Sequence, residues 1–367
     1  MRHPIALLAS LMFTLGATHA NAQSRWSPER ARAWQRTHGW QVGANYIPRT
    51  AINELEMWQA DTFDPATIDQ ELGWAQEIGF NSARVFLHDL LWQQDSVGFL
   101  ARMDRFLAIA SKHHVGVMFV LLDGVWNPEP KLGLQPAPVP HRHNSGWLQS
   151  PGAAILRDTA HAEQLKPYIT GVLRRFRNDR RIIAWDLFNE PDNADRILDE
   201  KVKPALALAL LTKVTAWARA VKPSQPLTVG VWWGDWDDAT KLAPIQRFSL
   251  DNSDIISFHQ YGDSAAMRKS IAQLTPLGRP IICTEYMART QRSTFAAVLP
   301  VLAELHVGAI NWGFVSGKTN TIFPWDSSTK PYPDEPTPWF HDVLRPTGVP
   351  YDTAETSLIR RLSRRAP

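Results

Sequence analysis

Cysteine is almost missing from this chain. Cys283 stands alone among 367 residues, which excludes an internal disulfide framework even though the first residues read as an export leader. An excess of charge is lacking as well. The formal balance of +3 is too small and too dispersed for a nucleic-acid groove or a membrane-surface patch. The apolar run from Ile5 to Leu15 is shorter than the roughly 20 residues of a spanning helix, and no later segment reaches that length, so no membrane anchor is expected. Repeats, low-complexity tracts and domain linkers are missing too.

What is present starts with a signal. Arg2 and His3 precede the apolar run, and Ala20-Asn-Ala22 offers a small-x-small cleavage site; residues 1–22 therefore read as a signal peptide cut near Ala22. The product would be exported, to the periplasm or beyond. No Cys follows the cut, so a lipid anchor there is not expected. Residues 23–367 are long enough for one barrel of about 250 residues with decorated loops, or for two average domains.

Apolar runs and helical spacing then alternate. Strand-like segments fall at 40–47, 81–88, 115–122, 182–189, 227–233, 254–260, 280–286 and 308–315. Helical spacing falls at 65–78, 99–114, 161–177, 264–274 and 294–306, with a further helical region from Pro191 to Val221. Eight strands with interposed helices imply a parallel sheet, and the count favours α/β architecture as a single (β/α)8 TIM barrel with elongated βα loops. The Pro-rich segment from Asp123 to Gly152 is the longest such loop, and loops of that size are usually functional.

Ile182-Ile-Ala-Trp-Asp-Leu-Phe-Asn-Glu-Pro191 ends an apolar strand in a carboxylate. Pro280-Ile-Ile-Cys-Thr-Glu285-Tyr286 does the same. Either Glu could merely cap a helix, but two carboxylates at the same end of two parallel strands can converge on one acetal, which needs a proton donor and a nucleophile or base. Arg84, in Asn81-Ser-Ala-Arg, has a cationic fork suited to keeping a carboxylate ionised, or to an ordinary ion pair. Cys283 is expected to be a buried structural thiol. Alternation would place it on the same side of its strand as Glu285.

At these motifs the sequence resembles the clan of (β/α)8-barrel retaining glycoside hydrolases, nearest to glycoside hydrolase family 5, the cellulase and mannanase family. The resemblance implies Glu190 as acid/base and Glu285 as nucleophile, with Arg84 bracing the nucleophile and Asn189 bonding the sugar 2-hydroxyl. It also implies supporting roles for His259 and Tyr261, which match the His-x-Tyr of the sixth strand, and a pocket floor at Trp312. Carbohydrate is the implied partner, with no cofactor and no metal. His88, Asp123, Trp126 and Trp233 complete the expected substrate-binding set, drawn from 16 Trp residues of which several fall near strand ends. A departure stands at the third strand, where Leu121-Leu-Asp123-Gly124 replaces a pocket-lining His. Three further segments, Asn45–Pro48, Asn53–Trp58 and Gly317–Thr321, are not standard cellulase motifs.

Two competing readings remain at this level. His141-x-His143 and His113-His114 could supply metal ligands, although no third ligand stands at a recognisable spacing. The same fold could also serve as a non-catalytic carbohydrate-binding barrel or as a transglycosylase. Sugar identity and linkage, exo or endo action, and oligomeric state are not set by these motifs.

Overall fold

Among the described residues of this computed structural model, eight short strands carry the fold: β1 (Val42–Asn45), β2 (Ser82–Phe86), β3 (Gly116–Val120), β4 (Ile182–Asn189), β5 (Leu227–Gly230), β6 (Ile256–His259), β7 (Ile281–Glu285) and β8 (Gly308–Asn311). The structure describes residues 24–158, 161–238 and 240–364. The signal peptide assigned to residues 1–22 lies outside them. The strands pair in parallel in the order β5-β4-β3-β2-β1-β8-β7-β6. A parallel bridge between Val231 and Phe258 joins the two edges, so the sheet closes into a barrel.

Each strand is followed by at least one helix. The helix after β1, Pro65–Ile78, begins as the sequence indicates: Asp64 accepts from Thr67 N, and Gly79 ends the helix at φ 93°, a left-handed position that glycine occupies without steric cost. The second helix differs from the expected span. It runs from Asp89 to Lys112 with a break at Asp95, because His88 caps it ten residues early and the polar stretch Gln93–Ser96 hides the apolar stripe. Residues 191–202 form rim loop rather than helix, and the helix there is confined to Lys203–Val221.

Two apolar layers hold the barrel. The larger lies between the sheet and the helices. The smaller fills the barrel's lower interior with Met118, Ala184, Ile282 and Ile310 against Trp34. Trp34 belongs to a helix, Pro28–His38, that the sequence reading left out because Ala31 and Trp34 are its only buried residues. Its indole N–H donates to the Ile183 carbonyl at 3.0 Å, plugging the end of the barrel at which the strands begin.

Two breaks in strand register aim the key carboxylates. On β4 the pairing with β5 shifts between Asp186 and Asn189; Asp186 points inward, Leu187 and Phe188 pack in the outer layer, and Asn189 points inward again. On β7 the pairing with β6 shifts at Phe258/His259, which sets His259 opposite Glu285. Simple alternation puts Cys283 and Glu285 on one face; the structure separates them. Cys283 sits in the outer layer, fully buried, while Glu285 turns into the barrel. Such irregularities re-aim side chains beside functional sites.

Candidate active site

Arg84 is the hub around which the barrel mouth is built. Its guanidinium is fully buried and uses all of its nitrogens. Nη1 donates to Asn45 Oδ1 at 2.8 Å and to Glu285 Oε1 at 2.9 Å, Nη2 to Asp186 Oδ2 at 2.7 Å and Asn189 Oδ1 at 2.6 Å, and Nε to Asp186 Oδ2 at 3.2 Å. A planar fork of fixed donors is the side chain that can hold so many acceptors at once. The other Glu285 oxygen accepts from Tyr261 Oη at 2.7 Å.

Glu190 follows β4 with φ 41°, a left-handed turn that lifts its side chain over the barrel mouth. Its Oε1 lies 2.5 Å from His259 Nδ1, and Oε2 accepts from Asn193 Nδ2 at 2.6 Å. Ligand atoms of Glu190, His259 and Glu285 all fall within 4.8 Å of one another. The far side of the imidazole, Nε2, stands 3.6 Å from Glu285 Oε1, so one ring spans both carboxyl groups.

These residues open into a cavity of about 1360 Å³. Glu190, Glu285, Asn189, His259, Tyr261 and Trp312 line it. So do Trp126 and Trp233, 37% and 54% exposed at the rim. Trp312 meets Phe86 and Trp147 edge-on, with centroids 5.8 and 5.3 Å apart.

Two expected substrate contacts are corrected. His88 is fully buried; its Nδ1 accepts from Leu90 N at 3.2 Å, which leaves Nε2 to donate to the Gln149 carbonyl, so it caps a helix and pins a loop. Asp123 lies beneath the cavity, accepting from Asn189 Nδ2 and Trp147 Nε1. Three of the four histidines with ligand-like spacing are engaged elsewhere. His141 and His143 each face a carbonyl through Nδ1, and His113 meets Asp69.

Three supporting residues escaped the sequence reading. Asn45 lies in the Asn45–Pro48 segment, to which no motif assigns a role. Asp186, the one charged residue inside an otherwise apolar strand, was a visible signal. Asn193 had only its position three residues beyond Glu190.

Burial pushes Glu190 up to about 7. It raises Glu285 as well, with Glu190 adding to the effect and Arg84 and Tyr261 opposing it. Two carboxyls this close share a proton, and the Arg84 contact assigns the charge to Glu285. Burial lowers His259 to about 4, so its ring is neutral near pH 7 and its tautomer follows Glu190. A protonated Glu190 donates to Nδ1; an ionised one accepts from it.

The same shifts predict how stability depends on pH. Glu71, Asp123 and Glu190 are raised to about 7 and Asp342 to about 6, all by burial. They contribute stability at low pH that is lost as pH rises through those values. His143 and His259, lowered to about 4 by burial, contribute stability above about 6.5 that is lost on acidification. Between about pH 7 and 8 the histidines are mostly neutral in both states and the carboxyls dominate, so the melting temperature should fall across that interval. A melting temperature that rises there would contradict the assignment.

A family model described as cellulase, glycosyl hydrolase family 5, matches residues 140–317, a span that includes Asn189, Glu190, His259, Tyr261, Glu285 and Trp312. Residues 140–317 are thus similar to the glycosyl hydrolase family 5 domain, and the protein is an O-glycosyl hydrolase on a (β/α)8 barrel. Solved structures agree on the barrel. The hydrolase matches an endo-β-1,4-mannanase from Thermotoga petrophila at TM-score 0.58 and 13% identity, covering 90% of this chain and 77% of that one. It matches an exo-β-1,4-mannosidase from an Opitutaceae bacterium at 0.61 and 18%, covering 89% and 60%. A β-mannanase from the blue mussel Mytilus edulis matches at 0.57 and 15%, covering 74% and 86%. At these identities the likeness is one of fold. No curated protein sequence matches the hydrolase.

Proposed function

We propose that this hydrolase is exported and cleaves β-glycosidic bonds of plant- or microbe-derived oligo- or polysaccharides with retention of configuration, and that β-1,4-linked mannosides are the substrates to test first. The observation that carries the reading is the approach of one carboxyl oxygen of Glu190 and one of Glu285 to within 4.8 Å, too close to leave a water's space between the two groups. Retaining enzymes hold their carboxyl groups about 5–5.5 Å apart, whereas inverting ones leave room for a water, at about 6.5–9.5 Å. The mannan-directed neighbours favour mannosides, and the leader-like residues 1–22 favour export.

In the first step a Glu285 oxygen attacks the anomeric carbon while the bond to the leaving oxygen breaks, and Glu190 transfers its proton to that oxygen. A glycosyl ester on Glu285 and an anionic Glu190 result. In the second step Glu190 takes a proton from water, the water oxygen attacks the same carbon, and Glu285 leaves as carboxylate. Asn189 meets the 2-hydroxyl, Trp312 floors the cleaved sugar's pocket, and Trp126 and Trp233 offer aromatic faces to the C–H sides of neighbouring pyranoses.

The acid works only while protonated. With Glu190 at about 7, kcat/KM should fall as pH rises through neutrality, and Glu190→Gln should abolish that alkaline limb. A limb that survives the substitution assigns it to another group.

The reading is tested by incubating the protein from Gln23 onward with nitrophenyl β-mannoside, glucoside, galactoside and xyloside and with β-1,4-mannan. Turnover of at least one supports it. Sugar binding without turnover would mark a carbohydrate-binding barrel, and products longer than the substrate a transglycosylase.

A further inference from the structure

The segment that follows the third strand, Leu121-Leu-Asp123-Gly124, is built into the floor of the site. Asp123 is 1% exposed and absent from the cavity wall, yet both carboxylate oxygens serve residues that line it. Oδ1 accepts from Asn189 Nδ2 at 2.9 Å, and Oδ2 accepts from Trp147 Nε1 at 2.8 Å. The backbone of Asp123 also closes the base of the long loop, exchanging hydrogen bonds with Ser150 at 2.6 and 3.0 Å.

An amide side chain has two ends, and its neighbours decide which way it faces. Arg84 offers only donors, so it fixes Asn189 Oδ1; only an acceptor opposite can fix Nδ2. Asp123 is that acceptor. It also sets the height of the Trp147 ring, which stands edge-on to Trp312 with centroids 5.3 Å apart and to Phe86 at 5.2 Å. Near Asp123 lies Glu54, 2% exposed, its carboxyl kept protonated first by burial and then by the Asp123 charge, in the Asn53–Trp58 segment that no cellulase motif accounts for. Asn53 itself donates to the Gly146 carbonyl at 2.9 Å, next to Trp147.

We infer that Asp123 is a positioning residue that locks the Asn189 amide and the Trp147 indole into one rigid sugar-binding surface, and so controls recognition of the 2-hydroxyl. This rests on the reading of Asn189 given above. Asn at position 123 retains one acceptor but turns an NH2 against either the Trp147 N–H or the Asn189 NH2, so Asn189 loses its anchor or Trp147 is displaced.

The test is a cycle between side chain and substrate. kcat/KM is measured for the nitrophenyl β-glycoside turned over fastest and for its 2-deoxy analogue, on the wild-type enzyme and on Asp123→Asn. The wild type should lose on the order of 10²-fold or more with the 2-hydroxyl, and Asp123→Asn less than about 10-fold from the same deletion. Equal factors in the two proteins, or no loss in the wild type, would overturn the inference.

Trp147→Phe added to Asp123→Asn removes the conflicting N–H and lets the amide oxygen at position 123 meet Asn189. The double variant should recover the wild-type factor, and it stays informative if the single variant does not fold. A factor that stays low in the double variant also counts against the inference. Failure of the broader reading shows elsewhere, as turnover that persists in Glu285→Ala.

Discussion

Glu285→Ala should lower kcat by on the order of 10⁵-fold or more, since removing an enzyme nucleophile costs about that much. The expectation is large because no neighbour can replace the lost group. Tyr261 is held protonated by burial and by the carboxylate it serves, His259 is neutral, and Glu190 is committed to the leaving oxygen. Stability should not suffer in the same way. The substitution leaves Arg84 bound to Asp186, Asn45 and Asn189, so the guanidinium keeps a carboxylate and two amide acceptors. Added azide or formate should restore turnover from the opened face and give a product of inverted configuration. Glu190→Ala should behave differently, losing about 10²–10⁴-fold on substrates with poor leaving groups and much less on dinitrophenyl glycosides, which depart without a proton. A Glu285→Ala enzyme with near-normal rate, or a Glu190→Ala enzyme equally impaired on every leaving group, would reverse or dissolve the two roles.

Arg84→Met should cost about 3–5 kcal/mol of folding stability, the range for stripping one partner from a buried ion pair. Here the cation serves two carboxylates, Asp186 and Glu285, both nearly inaccessible. Without it each must take a proton or remain an uncompensated buried charge. The acidic limb of the pH–rate profile should therefore move to higher pH, since Glu285 loses the charge that opposes its burial, and neutral-pH turnover should fall with it. Arg84→Lys restores the charge without the fork. It should recover part of the stability but leave Asn45 or Asn189 without its donor. Urea unfolding and the pH–rate profile, measured on the same variants, check both consequences. An Arg84→Met protein as stable as the wild type would mean that the buried charges are relieved in some other way.

The carboxylates were legible in the sequence for a physical reason. A strand buried on both faces must be apolar, so the residue where it becomes polar marks its end, and Asn189-Glu190 and Glu285 stand at such ends. Helices with strong boundary chemistry were equally readable: Asp64 and Gly79 bound Pro65–Ile78, and Asp263 caps Ser264–Leu274. The barrel followed from their alternation. What sequence periodicity misses is any departure from period two. The irregularities in β4 and β7 turn Asn189 and Glu285 inward, and no residue in Leu187–Phe188 or Cys283–Thr284 announces them. His88 and Asp123 were misplaced for a related reason. Both are polar residues just beyond a strand, as catalytic groups are, but one caps a helix and the other faces inward beneath the cavity, and only the path of the loop ending at Gly152 distinguishes these cases. The base plug at Trp34 was hidden by a helix that buries too little of itself to show a stripe.

The anomeric form of the first product tests the central claim most directly. Proton NMR of a β-glycoside digest, recorded within the first minutes and before mutarotation, should show the β-anomer appearing first and the α-anomer only later. An α-anomer released first would mean that water attacks directly, and that Glu285 never carries the sugar.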